Sequence, residues 1–191
     1  MRPTSFLLVF FAFMLAAAPV MAKDKFVLSR NQQLSYREAY SFAQKAEKRD
    51  IVVGVDVLSK DDQKRYLGGH NGKLAALEVA ISNDSRFRLY LNEITLVDST
   101  GTYSQKPLGL DVVAKMVGPS GGGNKNSLHL SILRNNLIEK SLYNQIIEPG
   151  QTIQGMVFVR SENLVPGLSL RVDIQNLKRL VYLDITVPIL P

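Results

Sequence analysis

The sequence predicts a mainly β fold, an antiparallel sandwich that carries a leading helix and a helical insertion. The clearest evidence is the alternation of apolar and polar residues in two C-terminal runs, which is the period of half-buried strands. The apolar positions are Leu168, Leu170, Val172 and Ile174, then Val181, Leu183, Ile185, Val187 and Ile189. Residues 175–178 between the runs predict a hairpin turn. We therefore expect two adjacent strands whose apolar faces point into one core.

Further strands are predicted upstream from runs of β-branched and apolar residues bounded by charge or by turn residues. These segments are 51–58, 74–82, 87–97 and 153–159. The turn 83–85 predicts that the second and third of them form a strand pair. Near Asn92 and Glu93 the alternation slips, which indicates a bulge or a crossing between sheets. About seven short antiparallel strands favour a sandwich.

Two helices are predicted outside the strands. Ser35 and Glu38 have the spacing of a capping box, which starts a helix over 36–49. Its small and aromatic residues also recur at intervals of three or four positions, as on one face of a helix: Tyr36, Ala39, Tyr40, Ala43 and Ala46. A second helix is predicted over 127–142, inside an insertion between strands. Shorter helical turns are indicated within 59–72 and from 112 to 117.

The N-terminus has the pattern of a secretory signal peptide over 1–22. Arg2 precedes an unbroken apolar stretch over 6–18, and Pro19 and Ala22 lead to the expected cleavage point. The alternative is an uncleaved anchor, for which the stretch is short because a span needs about 20 apolar residues. The domains that follow are a flexible lead-in, 23–34, and a single β-sandwich domain, 35–191.

The composition limits the cellular locations, the kinds of catalysis and the kinds of partner that we expect for the protein. The chain has no cysteine, which removes thiol catalysis and a lipid-bearing cysteine at the cleavage point. We therefore expect a periplasmic or secreted protein that meets the membrane only through the signal segment before cleavage. The net charge of +6 is scattered along the chain, so we expect no nucleic-acid partner. Loose attraction to anionic envelope polymers is an alternative use of these cations.

Three segments resemble the immunoglobulin-like, telokin-like sandwich domains of bacterial envelope proteins and lipoproteins. They are Leu77-Glu78-Val79-Ala80-Ile81-Ser82-Asn83-Asp84-Ser85, Ile94-Thr95-Leu96-Val97-Asp98-Ser99-Thr100-Gly101-Thr102-Tyr103 and Ile147-Glu148-Pro149-Gly150-Gln151-Thr152-Ile153-Gln154-Gly155-Met156-Val157-Phe158. The resemblance covers roughly residues 51–188. It implies an immunoglobulin-like topology and a role in binding, assembly or inhibition. The two helices and the missing cysteine depart from those domains.

One motif would support catalysis. Residues 118–122 match the G-x-S-x-G pattern, with Ser120 as the nucleophile. No buried parallel strand precedes Ser120, and its only downstream histidine, His129, follows after nine positions with no acid between them. A flexible loop is the alternative interpretation, and it is the one we favour. The histidines lack the ligand spacing of a zinc site, although Asp61 and Asp62 lie near His70. We expect no cofactor and no metal.

The sequence thus predicts an exported, non-enzymatic interaction or assembly module of the bacterial envelope, with another envelope protein as partner. The candidate partner-binding residues are Tyr36, Tyr40 and Phe42, because aromatic side chains dominate many interfaces. Packing within the fold is the alternative for these aromatics, and coverage of sheet edges is the alternative for both helices. The competing functions are a serine hydrolase that uses Ser120 and a binder of anionic envelope polymers.

Overall fold

A computed structural model describes residues 25–100, 104–119, 124–178 and 180–190 of the chain. In these residues the protein is mainly β, with two antiparallel sheets that we name sheet A and sheet B. Sheet A has the strand order β1-β2-β3-β7. Its strands are β1 (Gln44–Lys48), β2 (Ile51–Val57), β3 (Leu74–Asn83) and β7 (Gln151–Arg160).

Sheet B has the strand order β5-β4-β8-β9, and the short β6 also pairs with β4. Its strands are β4 (Leu89–Val97), β5 (Ser104–Gln105), β6 (Ile146–Ile147), β8 (Ser169–Asn176) and β9 (Val181–Pro188). The predicted C-terminal hairpin is confirmed, because β8 pairs with β9 from Ser169↔Pro188 to Asn176↔Val181. The predicted slip is confirmed as a bulge in β4 between Leu91 and Glu93.

The two sheets share one hydrophobic core. Inward-facing residues of sheet A, such as Val53, Leu77 and Val79, join the same buried cluster as Leu170 and Ile185 of sheet B. In a β-strand every second side chain points to the same face. An apolar residue at every second position therefore predicted a strand with one buried face. Leu183, Ile185 and Val187 are buried as predicted, whereas Val181 at the start of β9 is exposed.

Helices cover the other face of sheet A. They are α1 (Lys25–Arg30), α2 (Lys60–Leu67), α3 (Leu110–Val117) and α4 (Asn124–Lys140). Helix α4 corresponds to the helix predicted over 127–142. The helices and the sheet bury a second core, whose residues include Phe26, Leu67, Val113, Leu133, Leu137 and Phe158. No helix among the described residues is long and apolar enough to cross a membrane.

The predicted leading helix over 36–49 is wrong. This segment contains a short 3-10 turn, Ala39–Ser41, and then strand β1. Strand β1 forms a tight hairpin with β2, whose two turn residues, Arg49 and Asp50, both have positive φ. Pairing with the edge of β2 satisfies the backbone groups that a helix would satisfy internally, so tertiary pairing overrides the helical spacing.

Two further expectations are corrected by packing. The lead-in 23–34 was expected to be flexible, but α1 lies within it and buries Phe26 and Ser29. The strand pair predicted around the turn 83–85 does not form, because β3 is already paired on both edges, with β2 and β7. The chain instead crosses from sheet A to sheet B between Asn83 and Leu89.

A candidate binding cleft at one end of the sheets

An open cavity of about 550 Å³ lies at the end of the sheets where three connections meet. These connections are the β1–β2 turn, the β3–β4 crossing and the β8–β9 hairpin. We call this cavity the end cleft. Its volume falls within the range of small-ligand pockets, roughly 300 to 1,000 Å³.

The floor of the end cleft is apolar. Ile51, Leu89, Ile174 and Leu183 line it, and all four belong to the shared core. They occupy inward positions at the ends of β2, β4, β8 and β9, where the two sheets are not closed over. An apolar group that entered here would continue the core of the protein.

The rim of the end cleft carries charge of both signs, from Arg49, Asp50, Asp84 and Arg86. The guanidinium of Arg86 lies 5.2 Å from the centroid of the Phe87 ring, which forms part of the wall. At the neighbouring surface the Tyr40 hydroxyl donates a hydrogen bond to Asp84, which raises the pKa of Tyr40 to about 12. A bound group therefore meets an apolar floor and both kinds of charge at the opening.

One buried residue fixes the β3–β4 wall of the end cleft. The side-chain amide of Asn83 donates to the carbonyl oxygens of Phe87 (2.8 Å) and Ile147 (3.1 Å). Its Oδ1 accepts from the backbone N–H of Ser85 (3.2 Å) and from the Ser85 hydroxyl (2.7 Å). Because Asn83 is fully buried, these bonds are shielded from water. The wall is thus preformed rather than ordered by a ligand.

The three predicted partner-binding residues lie in different environments. Tyr40 is exposed beside the rim, and Tyr36 is exposed at a smaller cavity of about 260 Å³ that Gln33, Lys140 and Gln154 also line. Phe42 is only 1% exposed and packs against Ala39, Val52 and Ala80. Phe42 is therefore a packing residue in this structure, since no partner can reach its ring unless the segment moves.

A charged cluster that the sequence analysis missed lies on the helix-covered side of sheet A. Arg37 Nη1 lies 2.8 Å from Asp56 Oδ2 and 3.2 Å from Glu78 Oε2, and the Glu78 side chain is buried. The Arg37 guanidinium also stacks 3.8 Å above the Phe42 ring. Burial lowers the pKa of Arg37, but its contacts with Asp56 and Glu78 outweigh that effect and raise it. Cross-strand pairing of Asp56 with Glu78 creates the acidic pair that Arg37 neutralises.

Lys140 is buried where three helices meet. Its ammonium donates to the carbonyl oxygens of Ser29 (2.6 Å) and Tyr66 (2.8 Å), which belong to α1 and α2. Burial lowers the pKa of Lys140 to about 8. These two bonds tie the N-terminal segment and α2 to α4, so the role of Lys140 here is structural.

The residues considered for chemistry do not form a centre in the described part of the chain. Ser120 and the predicted signal segment 1–22 lie outside the described residues. The His129 ring contacts Phe26, with 5.6 Å between ring centroids, and His70 Nδ1 lies 3.2 Å from Gln63 Oε1. Asp61 and Asp62 lie in the first turn of α2, where carboxylates suit the helix dipole. The described residues contain no group of three or more His, Asp or Glu side chains placed to hold a metal.

Comparison with known proteins yields structural similarity alone. No protein-family model and no curated protein matches the chain. The chain is similar to the yjhA protein from Bacillus subtilis, with a TM-score of 0.46 and 12% identity over 78% of this chain and 97% of that chain. It is also similar to a conserved hypothetical protein from Bacillus anthracis, with a TM-score of 0.34 and 13% identity over 74% of this chain and 91% of that chain. These similarities assign no function.

Proposed function

We propose that the protein is a non-enzymatic interaction module of the bacterial envelope, exported by residues 1–22, that holds another envelope protein at the end cleft. The observation that carries this proposal is the preformed cleft of about 550 Å³ with an apolar floor and a charged rim. Pockets of this kind use the apolar surface for affinity and a few polar groups for orientation.

The proposal includes an immunoglobulin-like topology. In such sandwiches the strand order is A-B-E-D in one sheet and C-F-G in the other. The order β2-β3-β7 corresponds to A-B-E, and the order β4-β8-β9 corresponds to C-F-G. The helical segment between β5 and β6 would then stand in place of strand D. This correspondence supports the likeness to telokin-like envelope domains.

Under that correspondence the end cleft lies at the end used for recognition in antibody variable domains. Its walls come from the β3–β4 and β8–β9 connections, which correspond to the B–C and F–G loops. The partner segment that fits best has an apolar side chain for the floor, flanked by charged residues that pair with Arg49, Asp50 and Arg86. Tyr40, which bonds to Asp84, would lie at the margin of this interface.

The proposal is tested by capturing partners from detergent-solubilised native envelope, which contains no lipid bilayer, with the purified chain and with two matched variants. Val181→Glu puts a carboxylate into the end cleft at an already exposed position, so we expect the fold to be retained and the captured partner to be lost. Val165→Glu makes the same change in the connection between β7 and β8, at the opposite end of the sheets. We expect it to capture the partner as the original chain does. Equal capture by both variants would refute the cleft as the binding site.

The two competing functions predict different results. A serine hydrolase would turn over esters or amides in a broad panel and lose that activity with Ser120→Ala. A binder of anionic polymers would retain heparin or envelope polysaccharide in a manner that weakens steeply with salt, because exposed charges are screened. For the proposed module we expect no Ser120-dependent turnover and partner capture that persists at moderate salt.

A further inference from the structure

The tip of the β8–β9 hairpin presents apolar side chains to solvent. Of its five described residues from 177 to 182, four are large and exposed: Leu177 (36%), Leu180 (71%), Val181 (39%) and Tyr182 (67%). We call these four residues the hairpin tip. A few scattered exposed apolar residues are normal on a soluble protein, but four within six positions form a patch that needs an explanation.

The conformation of the turn makes the leucine at position 180 unusual. Leu180 has a φ of 53°, in the left-handed region where glycine and asparagine are the ordinary residues. A residue with this φ ordinarily has no side chain or a short polar one. Turn geometry therefore does not account for a leucine that projects into water.

Cations accompany the hairpin tip. Lys178, which follows Leu177 in the sequence, is exposed beside it, and Arg49 and Arg86 are exposed on the rim of the adjoining end cleft. The acids on the same rim are Asp50 and Asp84, and Asp84 accepts a hydrogen bond from Tyr40. Among its described residues, this end of the protein therefore combines exposed apolar side chains with three cations against two acids. The net charge of the whole chain is also positive, at +6. An anionic lipid surface complements both features.

We propose that the hairpin tip is a peripheral docking site for an anionic lipid bilayer. Leu177 and Leu180 enter the boundary between headgroups and acyl chains, Tyr182 lies at the headgroup level, and Lys178 pairs with lipid phosphates. This contact is separate from the signal segment and does not depend on the identity of the partner protein. It would hold the end cleft open along the membrane surface, next to proteins embedded there.

The absence of cysteine allows a test that is specific for position. A single thiol introduced by Leu180→Cys in the full chain is labelled with an environment-sensitive fluorophore, and Val165→Cys is its control at the opposite end. Val165 is 51% exposed, so both labels begin in water. With phosphatidylglycerol–phosphatidylcholine vesicles we expect the label at 180 to shift to the blue and to be quenched by spin-labelled acyl chains. We expect the label at 165 to stay unchanged even if residues 1–22 also bind the vesicles.

Two variants separate the apolar contribution from the charge contribution, with the label at Tyr182→Cys. Leu177→Asn should raise the lipid concentration for half-maximal signal about tenfold, because one buried leucine side chain is lost. Lys178→Gln should raise it about fivefold, and its effect should vanish at high salt. A label at 180 that stays in water with anionic vesicles overturns the proposal. So does a label that becomes shielded only when a vesicle-free extract of envelope proteins is added, since the tip would then be a protein contact.

Discussion

The two sheets differ in what lies on their outer faces. Sheet A lies between the shared core and the helices, and its central strand β3 is buried at all ten positions. Sheet B packs on the core with one face only, so β9 alternates between exposed and buried residues. Antiparallel strands thus occur here both buried on two faces, as in β3, and with one face exposed to water, as in β9.

The polar side chains on these two outer faces are satisfied in different ways. On the covered face of sheet A, Glu78 pairs with Arg37, and the Ser82 hydroxyl accepts from the N–H of Ala39 at 3.1 Å. On the outer face of sheet B, Asp184 and Thr186 are exposed to water. A buried polar group on the covered face of sheet A needs a specific protein partner, whereas an exposed one on sheet B does not. Substitutions in sheet A, which is covered on both faces, should therefore have larger effects than substitutions on the open face of sheet B.

The largest expected effect is at the centre of sheet A. Leu77→Asp places a carboxylate in the shared core with no cation beside it, which costs at least several kcal/mol and should leave the chain unfolded. Thr186→Asp, on the open face of β9, should change the free energy of unfolding by about 0.5 kcal/mol or less. Circular dichroism and thermal melts measure both. A folded Leu77→Asp protein would contradict the burial of β3 on its inner face.

The next largest loss of stability is expected when Arg37, which contacts sheet A, is replaced, and Arg171 of sheet B is the comparison. Arg37→Met leaves Glu78 buried without its cation, and we expect the free energy of unfolding to fall by about 3 kcal/mol. Arg171→Met breaks an ion pair with Asp173 on the outer face of sheet B, where half-exposed pairs contribute about 0 to 1 kcal/mol. Urea unfolding of the two variants gives the comparison. Equal losses would mean that the segment around the 3-10 turn Ala39–Ser41 does not shield Glu78 from water.

A smaller effect is expected at the edge of sheet A. A Cβ at Gly155 in β7 would lie 2.5 Å from the backbone nitrogen of Leu142, which donates a hydrogen bond to Met156 across this edge. Gly155→Ala should force this segment away and lower the free energy of unfolding by about 2 kcal/mol. Gly72→Ala is the control, because a Cβ there meets no atom within 4 Å. A Gly155→Ala protein as stable as the control would show that the segment does not pack here.

The parts of the fold that the sequence predicted are those where one local pattern decides the outcome. The alternation in β8 and β9 predicted their pairing and the burial of Leu183 and Ile185, because each strand has one face in the core. The helical turn indicated within 59–72 is α2, which ends at Leu67 before Gly68, a glycine with a φ of 77°. These signals need no knowledge of distant segments.

The rest depended on contacts between residues far apart in sequence. Segment 36–49 has helical spacing, but its hairpin with β2 and its contact with Gln154 are set by tertiary structure. The end cleft draws on residues from 49 to 183, and its key polar residue, Asn83, looks like an ordinary turn asparagine in the sequence. The positive φ of Arg49 and Asp50 lacks the Asn-Gly signature that marks such turns.

The smallest expected effect tests the helical layer over sheet A. The Ser59 hydroxyl accepts from the backbone N–H of Asp62 at 3.1 Å and caps α2, which contributes Tyr66 and Leu67 to the second core. Ser59→Ala should lower the free energy of unfolding by about 1 kcal/mol, because one N–H at the start of the helix loses its partner. Ser59→Asn keeps an oxygen in the capping position and should restore most of the loss. Urea unfolding of both variants measures this difference. If the Ser59→Ala and Ser59→Asn proteins were equally stable, the start of α2 would be held by packing on sheet A rather than by its cap.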